Sequence, residues 1–169
     1  MAAATKPFGF MKFNPGLGVG GHCIPIDPIY LAQKAEALGA PAKFIRQANL
    51  VNQQMPLYIL ERIKSLLNNN LTGKKICIAG LSYKSDVSDL RQSPSLVLWR
   101  ELEKQGSIVT FHDEIVKVFE DKNSTPLSVN AFDLVVVAIR HSNLDIDSLK
   151  KSAPIIFDCT GSIEGCNRL

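Results

Sequence analysis

The chain has 169 residues, 46% of them hydrophobic and 21% charged, with a formal net charge of +3. That size suits one ordinary domain, or one domain with an appended piece, and the apolar content is enough for a core. Scattered Lys and Arg, no apolar run near the roughly 20 residues of a membrane span, and an N-terminus without a signal-peptide pattern argue against nucleic acid, membrane and secretion, leaving a cytoplasmic location as the expectation.

Residues 1–26 are rich in Gly and Pro and read as loop. Within them "GLGVGGHCIPIDP" (16–28) fits G-x-G-x-x-G through Gly16, Gly18 and Gly21. A dinucleotide fingerprint needs a strand before it and a helix opening on its last glycine. Pro7, Gly9 and Pro15 upstream make a poor buried strand, and Pro25 and Pro28 downstream delay any helix. The competing reading is that these glycines clear space around Cys23. "DPIYLAQKAEALG" then predicts a short helix, with Asp27 as N-cap, Pro28 in the first turn and Gly39 as the exit.

A longer helix is predicted from about Pro41 to Asn68. Phe44, Ala48, Val51, Met55, Ile59, Ile63 and Leu66 step by three or four and define one buried stripe, with a kink expected near Pro56. Such a helix spans roughly 40 Å, long for so small a protein. A second subunit or a further domain is the expected partner. "NNNLTG" (68–73) marks a boundary between a helical segment, 1–72, and a second unit, 73–169.

Beyond that boundary "KICIAG", "IVTFH", "LVVVAI" and "PIIFDC" read as strands of a parallel sheet covered on both faces. Ser93 caps, Pro94 starts and Gly106 ends an intervening helix, and weaker helices are expected over 114–121 and 145–151. The fold class is therefore α/β. A partial helical domain with a long helix precedes a small doubly wound, Rossmann-like parallel sheet.

Cys23 is the first candidate for chemistry. It follows two glycines in an irregular loop, where exposed amides could stabilise an oxyanion. The alternative is a small thiol buried in a tight turn. Asp27 caps a helix or also holds a water beside the thiol. Lys84 and Arg91 lie between the first strand and the Ser93 helix, and serve either a phosphate or as solvated loop charge. Asp113 suits a ribose hydroxyl or a cap. His112 and His141 read as structural, Trp99 and Phe111 as core. Cys77 and Cys159 read as buried free thiols, and no C-x-x-C pair supports a zinc site.

Together, "TKPFGFMKFNPGLGVGGHCIPIDPIYL" and "GLSYKSDVSDLRQSPS" resemble the nucleotide-sugar 6-dehydrogenases, the UDP-glucose/GDP-mannose dehydrogenase family. The form of the cysteine segment is closest to the branch acting on UDP-N-acetylglucosamine or UDP-N-acetylmannosamine. The resemblance implies NAD-dependent oxidation of a UDP-sugar's C6 alcohol to a carboxylate through a Cys23 thiohemiacetal and thioester. It also implies that Asp27 assists the hydrolytic water. Phe13, Asn14, Pro15, Gly16 and Gly20 would line the sugar and diphosphate, Lys84 would contact the substrate and Arg91 would reach the cofactor. Lys6 falls where the family reaches toward a neighbouring subunit. On this reading the fingerprint match is accidental.

The family's N-terminal NAD domain, and the lysine and asparagine of its central domain, have no counterpart in these residues. The isolated chain is therefore expected to be inactive, binding a UDP-sugar and forming a homodimer through the 41–68 helix. The alternative is a non-catalytic UDP-sugar-binding and dimerisation module.

Overall fold

The computed structural model describes residues 5–10 and 13–168; Met11 and Lys12, inside the quoted cysteine motif, lie outside the described residues. Two helices lead the chain, α1 (Asp27–Ala37) and α2 (Lys43–Leu66). Then follow β1 (Lys75–Ala79), α3 (Pro94–Lys104), β2 (Ile108–His112), β3 (Val118–Phe119), β4 (Lys122–Asn123), β5 (Leu134–Val137), α4 (Ile146–Ser152), β6 (Ile155–Asp158) and β7 (Asn167–Arg168). Five strands form one sheet in the order β2-β1-β5-β6-β7, with every pairing parallel.

Alternation along the strands builds two cores. Ile76 and Ile78 face one side, where α2 and α3 contribute Ile59, Ile63, Leu98, Trp99 and Leu102. Cys77 and Ala79 face the other, against Val135, Val137, Leu149 and Ile156. The first core ignores the boundary expected at 72/73, because the C-terminal half of α2 packs on the sheet itself.

Three local expectations need correction. The stripe of α2 is not buried along its whole length. Ile59 and Ile63 are fully buried, whereas Phe44 is 84% exposed and Val51 50%. Pro56 lies inside α2, as its sequence position implied. Asp27 is the first residue of α1 and makes no side-chain cap. The amides of Ile26 and Asp27 already donate to the Cys23 carbonyl, at 3.0 and 2.8 Å, so the helical path starts there. Residues 114–121 form no helix. Glu120 and Asp121 both take positive φ, +46° and +62°, closing a two-residue β3–β4 hairpin. That hairpin lays Phe119 edge-on to Trp99, ring centroids 5.8 Å apart.

α3 follows its sequence signals closely. The Ser93 hydroxyl accepts from the Ser95 amide at 3.3 Å and donates to the Leu81 carbonyl at 2.7 Å. The cap therefore also fixes the start of the β1–α3 loop.

The glycine segment 18–21 is wedged between α2 and this loop. A Cβ on Gly20 would sit 2.5 Å from the Gln92 carbonyl and 2.8 Å from Tyr83, and one on Gly21 would sit 2.8 Å from the Tyr83 ring. The glycines thus clear space for the β1–α3 loop as much as for any ligand. Gly20→Ala is expected to lower stability to urea by about 1–3 kcal/mol and to speed proteolysis between residues 13 and 26. Unchanged unfolding and cleavage would mean that the segment is not docked.

Candidate functional site

The sheet order reverses at β1. β2 lies on one side of it and β5 on the other, and ligands of open α/β sheets bind outside the carboxyl ends of strands at such a point. Gly80 makes the turn possible there, with φ +86° and the Ile139 carbonyl 2.3 Å from where its Cβ would be. The loop that follows carries Tyr83, Lys84, Asp89 and Arg91.

This loop is tightly built. The Ser82 hydroxyl donates to the Lys84 carbonyl at 2.7 Å, and the Tyr83 amide donates to the Asp89 carbonyl at 3.0 Å. Arg91 closes a fork on its neighbour, with Nε 2.9 Å and a terminal nitrogen 2.6 Å from Asp89 Oδ2. Those hydrogen bonds first, and the Arg91 charge with a smaller share from His22, hold the Asp89 carboxyl down at about 2. Arg91 is raised in turn, chiefly by its hydrogen bonds to Asp89 and by that carboxylate's charge.

The cysteine segment joins the loop through one backbone hydrogen bond, Gly21 N–H donating to the Arg91 carbonyl at 3.0 Å. α2 holds the segment's other side. Asn52 Nδ2 donates to the Val19 carbonyl at 3.1 Å, and its Oδ1 accepts from the Val19 amide at 2.7 Å. Sequence reasoning missed Asn52. The available signal is Pro56 four residues on, which has no N–H to offer the Asn52 carbonyl.

Cys23 is exposed at the end of this strap. Asp27, also exposed, lies one turn further, and the Cys23 carbonyl accepts from its amide. The buried-thiol alternative therefore fails for Cys23. It holds for Cys77 and Cys159, where burial pushes Cys77 up to about 12 and raises Cys159 as well.

Of the other expected site residues, Phe13 is 77% exposed, while Gly20 is buried and contributes only backbone shape. Lys84 is exposed, and its ammonium forms no ion pair among the described residues. Lys6 lies apart, over the Phe8 ring at 5.5 Å. Asn14, Pro15 and Gly16 border two hollows. One, about 560 Å³, is an apolar groove running along α2 past Ile24, Phe44 and Val51. The other, about 210 Å³, lies at the N-terminus of α3 beside Ile139 and Thr160. The Ser95 hydroxyl borders that hollow, buried and without a hydrogen-bond partner. Amides at a helix N-terminus suit an anion.

Asp113 is buried, 1% exposed, and no helix follows it for its side chain to cap. Its carboxylate accepts from the amides of Leu81, Ile115 and Val116 at 2.7–2.8 Å. His141 and His112 are both buried, and Trp99 and Phe111 belong to the core. Among the described residues no cluster of His, Cys, Asp and Glu is placed to hold a metal, and no helix is long and apolar enough to cross a membrane.

Residues 77–165 match the UDP binding domain, and residues 1–54 the central domain, of the UDP-glucose/GDP-mannose dehydrogenase family. The chain is 35% identical over 144 residues to a UDP-N-acetyl-D-mannosamine dehydrogenase of Methanocaldococcus jannaschii, covering 83% of this chain and 32% of that protein. It is 31% identical over 172 residues to a UDP-N-acetyl-D-glucosamine 6-dehydrogenase of Pseudomonas aeruginosa, covering 93% and 40%. The solved UDP-D-ManNAc dehydrogenase of Pyrococcus horikoshii superimposes with a TM-score of 0.78 at 28% identity, over 99% of this chain and 41% of that one. The chain thus spans about a third to two-fifths of the length of these relatives. Matched domains, ordered motifs and backbone agree: the chain belongs to the UDP-glucose/GDP-mannose dehydrogenase family.

Proposed function

We propose that these residues form the substrate half of a UDP-N-acetylhexosamine or UDP-glucose 6-dehydrogenase. The observation that carries this reading is the Gly21–Arg91 hydrogen bond, which ties the Cys23 strap to the loop bearing Lys84. On this reading the Cys23 thiol and the Lys84 ammonium, which forms no ion pair among the described residues, serve one ligand from the two sides of that bond. Lys84 grips the diphosphate, and Asn14, Pro15 and Gly16 shape its floor with Phe13 at the rim. The Cys23 thiolate adds to the C6 aldehyde of the sugar, and water later opens the thioester formed there. Asp27, one turn on, orients that water.

Both oxidations need a hydride acceptor, NAD in this family. The described residues do not fit a dinucleotide. The Gly16–Gly21 segment packs on Tyr83, Gln92 and Pro94 instead of opening a helix, and the space beside Gly80 is filled by Ile139. Arg91 is their one contact toward such a cofactor, so turnover requires a cofactor-binding unit outside these residues.

Calorimetric titration of the purified chain with UDP-N-acetylglucosamine is expected to show binding, and titration with NAD alone is not. Lys84→Ala should weaken the UDP-sugar by roughly tenfold, the scale of one charge-assisted hydrogen bond to phosphate. Equal affinity in the variant would remove Lys84 from the site. NADH production by the chain alone, at the rate of an intact enzyme, would contradict the division of labour.

The exposed part of α2 completes the proposal as a homodimer contact through the 41–68 helix. On α2, Phe44 is 84% exposed and Leu50 and Val51 are each 50% exposed, apolar side chains that a second copy of the helix would cover. Light scattering at tens of micromolar should report a dimer, and Val51→Glu a monomer. A wild-type monomer would remove this contact.

A further inference from the structure

Both ends of the segment 81–86 hang from one buried pair of side chains. At its start, the Leu81 amide donates to Asp113 Oδ2 at 2.8 Å. At its end, the Asp86 amide donates to His141 Nδ1 at 2.9 Å. The pair is itself joined, His141 Nε2 lying 3.2 Å from Asp113 Oδ2, with side chains 3% and 0% exposed. Between the two anchors stand Tyr83, which packs on Gly20 and Gly21, and Lys84.

The ring's protonation follows from its neighbours. A nitrogen that accepts from a backbone N–H carries no proton, so Nδ1 is bare and Nε2–H donates to Asp113. Among the described residues, the charged groups paired with the ring are Asp113 and Asp86, whose Oδ1 is 3.9 Å from Nδ1. Asp113 does not change charge alongside. Burial raises it, but His141 and the Leu81, Val116 and Ile115 amides outweigh burial and leave it below its usual range.

Secondary ties assume the same geometry. Asp86 takes φ +60°, and its Oδ1 accepts from the Ser142 amide and hydroxyl at 2.8 and 3.0 Å. The Ser85 hydroxyl donates to the Arg140 carbonyl at 2.8 Å. Protonation of Nδ1 sets two N–H groups against each other and turns the Asp86 amide out of its bond. The strain then falls on the segment carrying Lys84.

We propose that His141, seated on Asp113, is a positioning residue that holds Tyr83 and Lys84 in their ligand-binding arrangement only while its Nδ1 is unprotonated, making affinity for a nucleotide diphosphate-sugar fall with acidification. This rests on the reading of Lys84 as a diphosphate contact.

Two measurements test it. Nitrogen-15 NMR of the unliganded chain at pH 7.5 should show His141 as the Nε2–H tautomer with the Asp86 amide protected from exchange. A doubly protonated ring with an exchanging Asp86 amide overturns the anchoring. Calorimetry with UDP-N-acetylglucosamine, whose diphosphate diester keeps its charge, should show affinity falling roughly tenfold or more between pH 7.5 and a lower pH at which the same spectra show Nδ1 protonated. His141→Phe should bind weakly at both pH values. His22→Gln, which removes the imidazole near Asp89, should keep the wild-type ratio between them, whereas Lys84→Ala, already without the ammonium that protonation displaces, should show a smaller ratio. A pH-independent wild type, or a ratio lost in His22→Gln and kept in His141→Phe, overturns the proposal without requiring any one variant to fold. Absence of binding at every pH, with the tautomer and amide protection as expected, refutes the nucleotide-sugar reading and the ligand half of this inference while upholding the anchoring.

Discussion

The close approach of the glycine segment to the β1–α3 loop is the constraint on which the site depends. Backbone at Gly20 and Gly21 touches Tyr83 and Gln92 at distances no side chain could share. Only there can the Gly21 amide reach the Arg91 carbonyl. Asn52 supplies the opposing grip, pairing both polar groups of Val19 to α2. The strap is thus clamped from two sides, and Cys23 emerges just after the clamp. Position comes from rigid neighbours, whereas the thiol itself stays accessible.

A second layer of constraint lies beneath the loop. Asp113, Ser93 and His141 each take up backbone groups that the loop between strand and helix leaves without ladder partners. These side chains come from the end of β2, the start of α3 and the β5–α4 connection, all at the carboxyl edge of the sheet. The same edge that ends the strands therefore organises the loop on which the proposed site is built. Arg91 and Asp89 add a fork that screens each other's charge, and Lys84 stays exposed and outside any ion pair among the described residues.

Much of this was legible in the sequence, for reasons that differ by element. β1, β2, β5 and β6 announced themselves because strands buried on both faces are continuous β-branched runs. α3 carried its own cap, first-turn proline and exit glycine. The hairpin at 118–123 was misread because its turn residues, Glu120 and Asp121, are unusual at positive φ and resemble an exposed helical surface. Asp27 looked like a cap because nothing local reveals that the Cys23 carbonyl already starts the helical turn. The glycines of 16–21 were readable as needing space, but the group filling it, Tyr83 more than sixty residues away, was not. His141 and Asp113, isolated in sequence, meet only through the order of the strands. The exposed half of α2 is the converse case, since periodicity gives an apolar face without saying what covers it.

The central claim is that Cys23 and Lys84 border one ligand crevice. Alkylation of the unliganded chain by iodoacetamide, followed by mass spectrometry at each cysteine, tests it most directly. Saturating UDP-N-acetylglucosamine should slow modification of Cys23 severalfold and leave the partly exposed Cys166 unchanged, while Cys77 and Cys159 stay inert in their cores. Bound nucleotide sugar with an unaltered Cys23 rate would separate the thiol from the ligand and contradict the account.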